Sequence, residues 1–215
     1  MKCQGICADV GEGFAHDMEL LNWIQAANIC VGAHAGSEAL TRTMIKECRS
    51  RSILVGLHPG YADRENFGRK SISPRPNLGS EIVALLQPWE GADYVKPHGA
   101  LYNQSATEVW AAEALAEALQ VWEIPLLGLA GTLHEEAASH AGVEFWSESY
   151  LDRGMREDGT LVPRELPGAF LHMQPEIEAQ FVRFADRCRF FCVHGDGPDA
   201  IEIARIGHTL LRGRS

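Results

Sequence analysis

Apolar positions along this chain fall in short, nearly continuous runs instead of alternating with polar ones. Residues 3–8, 28–33, 53–57, 94–95, 126–129, 143–146 and 190–193 are rich in Val, Ile, Leu, Phe and Cys. Such runs suit strands buried on both faces, as in a parallel sheet covered by helices. Segments 17–27, 38–51, 79–89, 107–122, 132–140, 175–187 and 198–211 separate them and read as amphipathic helices. In the fourth, Val109, Ala112, Leu115, Ala116 and Leu119 recur at helical spacing. Pro198, with Gly197 just before it, suits the first position of the last helix. Seven runs alternating with seven helical segments predict parallel strands joined by right-handed crossovers. A single α/β domain over residues 1–215 is expected. Its form is an irregular seven-stranded parallel β/α barrel, with a doubly wound open sheet as the alternative.

The residues just after each run favour the barrel. Asp9, Gly11 and Glu12 come after the first, His34 and Gly36 after the second, and His58, Pro59 and Gly60 after the third. Lys96, Pro97, His98 and Gly99 come after the fourth, Gly131 and Thr132 after the fifth, Glu148 after the sixth, and His194, Gly195 and Asp196 after the seventh. In parallel α/β folds the carboxyl ends of the strands share one face, and ligand sites gather there. Four histidines at such positions, 34, 58, 98 and 194, point to one site. Lys96 has a simpler alternative, neutralising Asp93 or another neighbouring carboxylate. His16, His134, His140, His172 and His208 are expected at the surface. The loop 152–164 carries Arg153, Arg156 and Arg164 among acids and glycines. It has the composition of a lid whose arginines grip carboxylate or phosphate, with a solvated role open for Arg156.

Charge narrows the partners. A net charge of −10 and a pI near 5.3 speak against nucleic acid or an anionic membrane, while allowing a local cationic pocket. No run approaches the roughly 18 apolar residues of a membrane span, and the opening residues lack the apolar core of a signal peptide. The cysteines at 3, 7, 30, 48, 188 and 192 form no C-x-x-C pair. They are expected to be buried and reduced, as in a cytoplasmic protein.

The motifs ADVGEGF, ANICVGAHAG, LVGLHPGYADRENFGRK, VKPHGALYN, GLAGT, ESYLDRGMREDGTLVPR and CVHGDGP occur in this order across the whole chain. Together they resemble the LamB/YcsF family, known as the A subunit of 5-oxoprolinase. The resemblance implies a seven-stranded irregular barrel akin to the glycoside hydrolase/deacetylase class. It also implies ATP-dependent opening of 5-oxoproline to L-glutamate, with ATP as co-substrate and two partner subunits, B and C. By the same resemblance Asp9, His34, His58, Lys96, His98 and His194 are the expected catalytic residues. Glu12, Arg69, Asn103, Glu148, Arg153, Arg164 and Asp196 are expected to bind substrate. The chain departs from the family pattern at Cys7-Ala8-Asp9, where relatives usually read Asn-Cys-Asp. It departs again at Ser37 in place of aspartate, at Asn66 and Lys70 around the Phe67-Gly68-Arg69 motif, and in a shorter stretch before Tyr94.

Opening a lactam calls for a base to activate water, a cation for the substrate carboxylate and donors for charge building on oxygen. Asp9, or a histidine oriented by it, is the candidate base. Lys96 and His98 are candidates for stabilising negative charge, and Arg153 or Arg164 for closing over the substrate. The turn 195–198 is expected to present backbone N–H groups at a helix N-terminus. Related barrel deacetylases bind a metal with one aspartate and two histidines, which would be Asp9, His34 and His58 here. Their histidines lie one helical turn apart, a spacing this sequence lacks, so a divalent metal is not the favoured expectation. Gly68–Ser71 lacks the upstream glycine of a P-loop, leaving ATP to a partner or a shared interface. The alternatives are a stand-alone metal-dependent amide or carbohydrate hydrolase, and a non-catalytic organising subunit.

Overall fold

The computed structural model describes residues 3–214. Met1, Lys2 and Ser215, the ends of the expected 1–215 domain, lie outside the described residues. The strands are β1 (Gly5–Val10), β2 (Ala26–Cys30), β3 (Leu54–His58), β4 (Tyr94–Val95), β5 (Leu126–Leu129), β6 (Phe145–Tyr150) and β7 (Phe190–Val193). Among the described residues they close into a parallel barrel in sequence order, with β7 pairing back onto β1. The helices are α1 (Asp17–Leu20), α2 (Glu38–Ser50), α3 (Leu78–Leu86), α4 (Gly99–Thr107), α5 (Val109–Trp122), α6 (Leu133–Ala141), α7 (Gln174–Phe184) and α8 (Ala200–Arg212). The barrel, and not the open sheet, is therefore correct.

Several boundaries differ from the sequence reading; β1 and β6 run on to Val10 and Tyr150, so Asp9 and Glu148, expected after their strands, lie within them. The expected helix 17–27 is a single turn, and β2 begins at Ala26, before the predicted 28. Leu20, Leu21 and Ile24 are buried against the barrel, so a turn packed on the core carries the spacing of a helical stripe. α4 was not anticipated. Its sequence, GALYNQSAT, has no apolar stripe because polar side chains fill its buried positions: Gln104 bonds the backbone of Ile72 on both sides, and Ser105 bonds Leu101 and His134. Finally, α8 starts at Ala200, so Pro198 lies in the turn before it and not at a first helical position.

The barrel interior holds large rings below the strand ends. Tyr94 packs on Trp146, and Trp146 on Phe190, with centroids 5.4 and 5.9 Å apart. Gly56 has no room for a side chain, because a Cβ there would stand 2.2 Å from the Tyr94 ring. The Tyr94 hydroxyl donates to Asn28 Oδ1 at 2.6 Å, and Asn28 Nδ2 donates to Asp9 Oδ1 at 2.8 Å. A polar column thus rises from the packed core to the strand ends. All six cysteines are free and buried, and Cys7 and Cys192 are register partners across the β1–β7 seam. Among the described residues no helix is long and apolar enough to cross a membrane.

His134 corrects another expectation. It is fully buried: its Nδ1 accepts from the Leu129 backbone N–H, and its Nε2 faces the Tyr102 carbonyl and the Ser105 hydroxyl. Burial lowers its pKa from 6.5 to about 4. The unfolded chain therefore takes up a proton first, and stability falls as pH drops through about 6.5 towards 4, by roughly 3 kcal/mol in total. Urea unfolding at a series of pH values should show this acid limb in the native protein and a flatter one in His134→Gln. An unchanged limb in the variant would refute the assignment. His16 and His208 are half-buried, bonded to the Gly195 and Trp23 carbonyls, whereas His140 and His172 are exposed as expected.

Candidate active site

Because the strands are parallel, their carboxyl ends meet at one mouth. Asp9 near the end of β1, His58 at the end of β3, Lys96 and His98 after β4 and His194 after β7 all line a cavity there of about 160 Å³. Arg69, Asn103, Arg153 and Arg164 complete its wall from the loops and α4. Nine of the thirteen expected residues therefore share one cavity. The other four do not line it. His34, Glu12 and Glu148 are buried behind its wall, and Asp196 faces an adjoining cavity with Phe170.

Lys96 sets the electrostatics of the floor. Its Nζ lies 2.8 Å from Asp9 Oδ1, 3.0 Å from Cys192 Sγ and 3.5 Å from Glu148 Oε2, almost wholly out of solvent. Asp93 is not its partner, since that carboxylate accepts the Val55 backbone N–H. Burial alone would raise the Asp9 pKa, but Lys96 and then His58 outweigh it and hold the carboxyl well below the usual range. Burial likewise works against the ammonium, yet Asp9, Cys192 and Glu148 hold it charged. The pair is ionised, which makes Asp9 a weak base.

The imidazoles form a packed trio. His34 and His98 stack at 3.7 Å between centroids, 3° from parallel, and His58 meets both edge-on. Burial, then the neighbouring His58, lowers the His34 pKa to about 3 and moves His98 further the same way. Glu12 closes the stack from behind, its Oε1 3.2 Å from His34 Nε2 and 3.5 Å from His98 Nδ1. Burial, then the charge of Asp9, raises its carboxyl well above the usual range.

His194 is arranged differently. Its Nδ1 donates to Asp152 Oδ2 at 2.8 Å, the same oxygen accepts its backbone N–H at 3.0 Å, and its ring stacks on Tyr150. Fixed this way, its Nε2 carries the free lone pair. The turn after β7 lies close against β1: a Cβ on Gly195 would stand 2.0 Å from the Asp9 carbonyl oxygen. The turn 195–198 runs directly into α8, and Asp196 within it pairs with Arg69, which sets a carboxylate beside the backbone N–H groups expected to seat an anion.

The arginines divide their roles. Arg153 is buried, and its guanidinium donates to the Ala169 and Val162 carbonyls. It fastens the loop after β6 to itself while also lining both cavities. Arg164 is exposed, lies over the Phe170 ring and lines both cavities, so it is a rim cation placed to meet an anion. Arg156 is exposed. Arg153→Lys keeps charge but loses the fork. Removing one to two hydrogen bonds to buried carbonyls should open the loop by about 1–3 kcal/mol, read as about tenfold to hundredfold faster exchange of the Gly154 amide, which bonds Ala169. Wild-type protection in the variant would show that the fork is dispensable.

Sequence reasoning missed Asn28, Cys192 and Tyr150. Asn28 was a polar residue inside an apolar run. Tyr150 stands two positions after Glu148 on β6, the same-face spacing of a strand, and its hydroxyl donates to Glu148 Oε1.

Three groups among the described residues bring donor atoms within 4.8 Å of one another: Asp9, His58 and His98; Glu12, His34 and His98; and Cys7, Glu148 and Cys192. The set Asp9, His34 and His58, drawn from related deacetylases, is not among them, since His34 turns towards Glu12. Only the first group lies wholly on the cavity wall.

The LamB/YcsF family model matches residues 5–214, nearly the full length. The chain belongs to the LamB/YcsF family. The crystal structure of a lactam utilization protein from Thermus thermophilus is similar to it, with a TM-score of 0.87 and 28% identity over 100% of this chain and 97% of that one. Where this LamB/YcsF chain departs from the pattern at Ser37, the hydroxyl accepts the Leu40 N–H and caps α2. The departure at position 37 therefore leaves helix capping intact.

Proposed function

We propose that this chain is the A subunit of an ATP-dependent 5-oxoprolinase, working with subunits B and C to open 5-oxoproline to L-glutamate. The observation that carries this reading is that His194, held by Asp152, and the buried Lys96 line one small cavity on a LamB/YcsF barrel. A five-membered lactam bearing one carboxylate suits that volume and charge. Arg164 at the rim receives the carboxylate, and Lys96 faces the lactam oxygen.

In this scheme the lactam oxygen attacks the γ-phosphorus of ATP and ADP departs. Water then adds to the activated ring carbon. His194 Nε2 takes the water proton while Asp152 holds the tautomer and steadies the imidazolium, a division of labour that suits a histidine near neutral pH. The ring C–N bond breaks with that proton returned to nitrogen, leaving an acyl phosphate that a second water hydrolyses to glutamate and phosphate. Nucleotide binding is assigned to the partners or to a surface shared with them.

The test is glutamate formation by the three subunits, each omitted in turn, with and without ATP. The expected result is strict dependence on ATP and on all three chains, with His194→Ala slower by about a hundredfold or more. ATP-independent, chelator-sensitive turnover by the isolated chain would instead support the stand-alone hydrolase. Full activity in His194→Ala and Lys96→Met would support the purely organising role.

A further inference from the structure

Asp9, His58 and His98 bring three donor atoms within 4.8 Å of one another, with Glu12 Oε1 the next acceptor, 3.5 Å from His98 Nδ1. His58 Nδ1 is 2.7 Å from the Lys96 carbonyl, and His98 Nε2 is 2.9 Å from the Phe67 carbonyl. A carbonyl only accepts, so each of these nitrogens carries its ring's proton. The opposite nitrogens, His58 Nε2 and His98 Nδ1, are then both unprotonated in the neutral rings, yet they face each other at 3.0 Å. Two lone pairs do not hold that distance without positive charge between them. Asp9 adds a third: its Oδ1 takes Asn28 and Lys96, while Oδ2 turns to His58 Nε2 at 3.5 Å.

We infer that Asp9 Oδ2, His58 Nε2 and His98 Nδ1 form a binding site for one divalent transition-metal ion on the cavity floor. A single proton would bridge the two nitrogens but would leave Asp9 Oδ2 aimed at the same point without a hydrogen bond of normal length. An ion takes all three. The 3.0 Å spacing is that of two nitrogens each about 2.1 Å from one ion and about 90° apart. Both rings are held by hydrogen bonds from their far nitrogens to backbone carbonyls, the support that metal-bound histidines commonly have. Charge agrees as well: Asp9 and Glu148 are both buried here, with Lys96 as the one ammonium beside them. Two imidazoles and one carboxylate favour Mn, Fe, Co or Zn over Mg or Ca. Bound on the cavity wall, the ion would supply Lewis acidity to a carbonyl or phosphoryl oxygen. The site does not depend on the lactam reading, and its test needs neither nucleotide nor partners.

The experiment measures the metal content of protein purified without chelator, followed by calorimetric titration of chelator-stripped protein with Mn²⁺, Co²⁺ and Zn²⁺. The expected result is one ion per chain, a d–d absorption band with Co²⁺, and affinity lowered about a hundredfold or more in His98→Gln and Asp9→Asn. His194→Gln, outside the donor set, should bind within a few-fold of wild type. Circular dichroism checks that each variant is folded. Should they not fold, ¹⁵N spectra of the wild-type histidines decide: the unprotonated nitrogens of His58 and His98 must shift on adding Zn²⁺. Absence of stoichiometric metal, together with histidine spectra indifferent to millimolar Zn²⁺ and showing a protonated His58, would overturn the site in favour of a shared proton.

Discussion

Replacing Lys96 with methionine should cost both the fold and the reaction. The substitution keeps roughly the same length of chain and deletes the ammonium, leaving the Asp9 charge buried with Asn28 as its remaining close donor and Glu148 without its ion pair. Breaking one side of a buried ion pair typically costs about 3–5 kcal/mol, a large share of a domain's stability. Urea unfolding should register a loss of that order, and glutamate formation in the reconstituted complex should fall below detection. The double variant Asp9→Asn with Lys96→Met removes both charges and should regain much of the stability without regaining turnover. If the single variant were as stable as wild type, the ionised pair described above would be wrong.

Gly195→Ala should rank second. Its new methyl would meet the backbone of Asp9, with the carbonyl oxygen at 2.0 Å and the carbon at 3.2 Å. Neither is the movable end of a side chain, so the turn after β7 must lift off β1. Overpacking of this kind costs about 1–3 kcal/mol, sometimes more. The displaced turn also carries His194 away from its place in the cavity wall, and a shift of about 1 Å at a reacting group can cost a hundredfold in rate. Gly197→Ala is the control, since a methyl there approaches only the His194 carbonyl at 3.8 Å. The comparison is a thermal melt and a rate for each. Equal behaviour of the two variants would remove the close approach as the reason for glycine at 195.

The strands were legible because a strand covered on both faces has little choice of composition, and because polar residues placed straight after such runs can only gather at one end of a parallel barrel. That logic brought Asp9, His58, Lys96, His98 and His194 to one cavity. It failed where burial is satisfied by polar groups. Gln104 and Ser105 hid α4, and His134, read as a surface residue, is sealed by backbone and hydroxyl partners that no spacing reveals. Nor could a string of residues show that Arg153 turns inward to carbonyls while Arg164 stays exposed at the rim. The tautomers of His58 and His98 depend on the Lys96 and Phe67 carbonyls, contacts that exist only once β3 and β4 lie side by side.

The six sealed thiols make the native molecule its own reporter of breathing. An alkylating reagent can reach Cys48 only when α2 comes away, and Cys7 or Cys192, which lie inside the barrel beside Glu148, only when the strands part or the cavity floor around Lys96 opens. Labelling rates, residue by residue, would therefore rank which parts of the barrel open before the whole does.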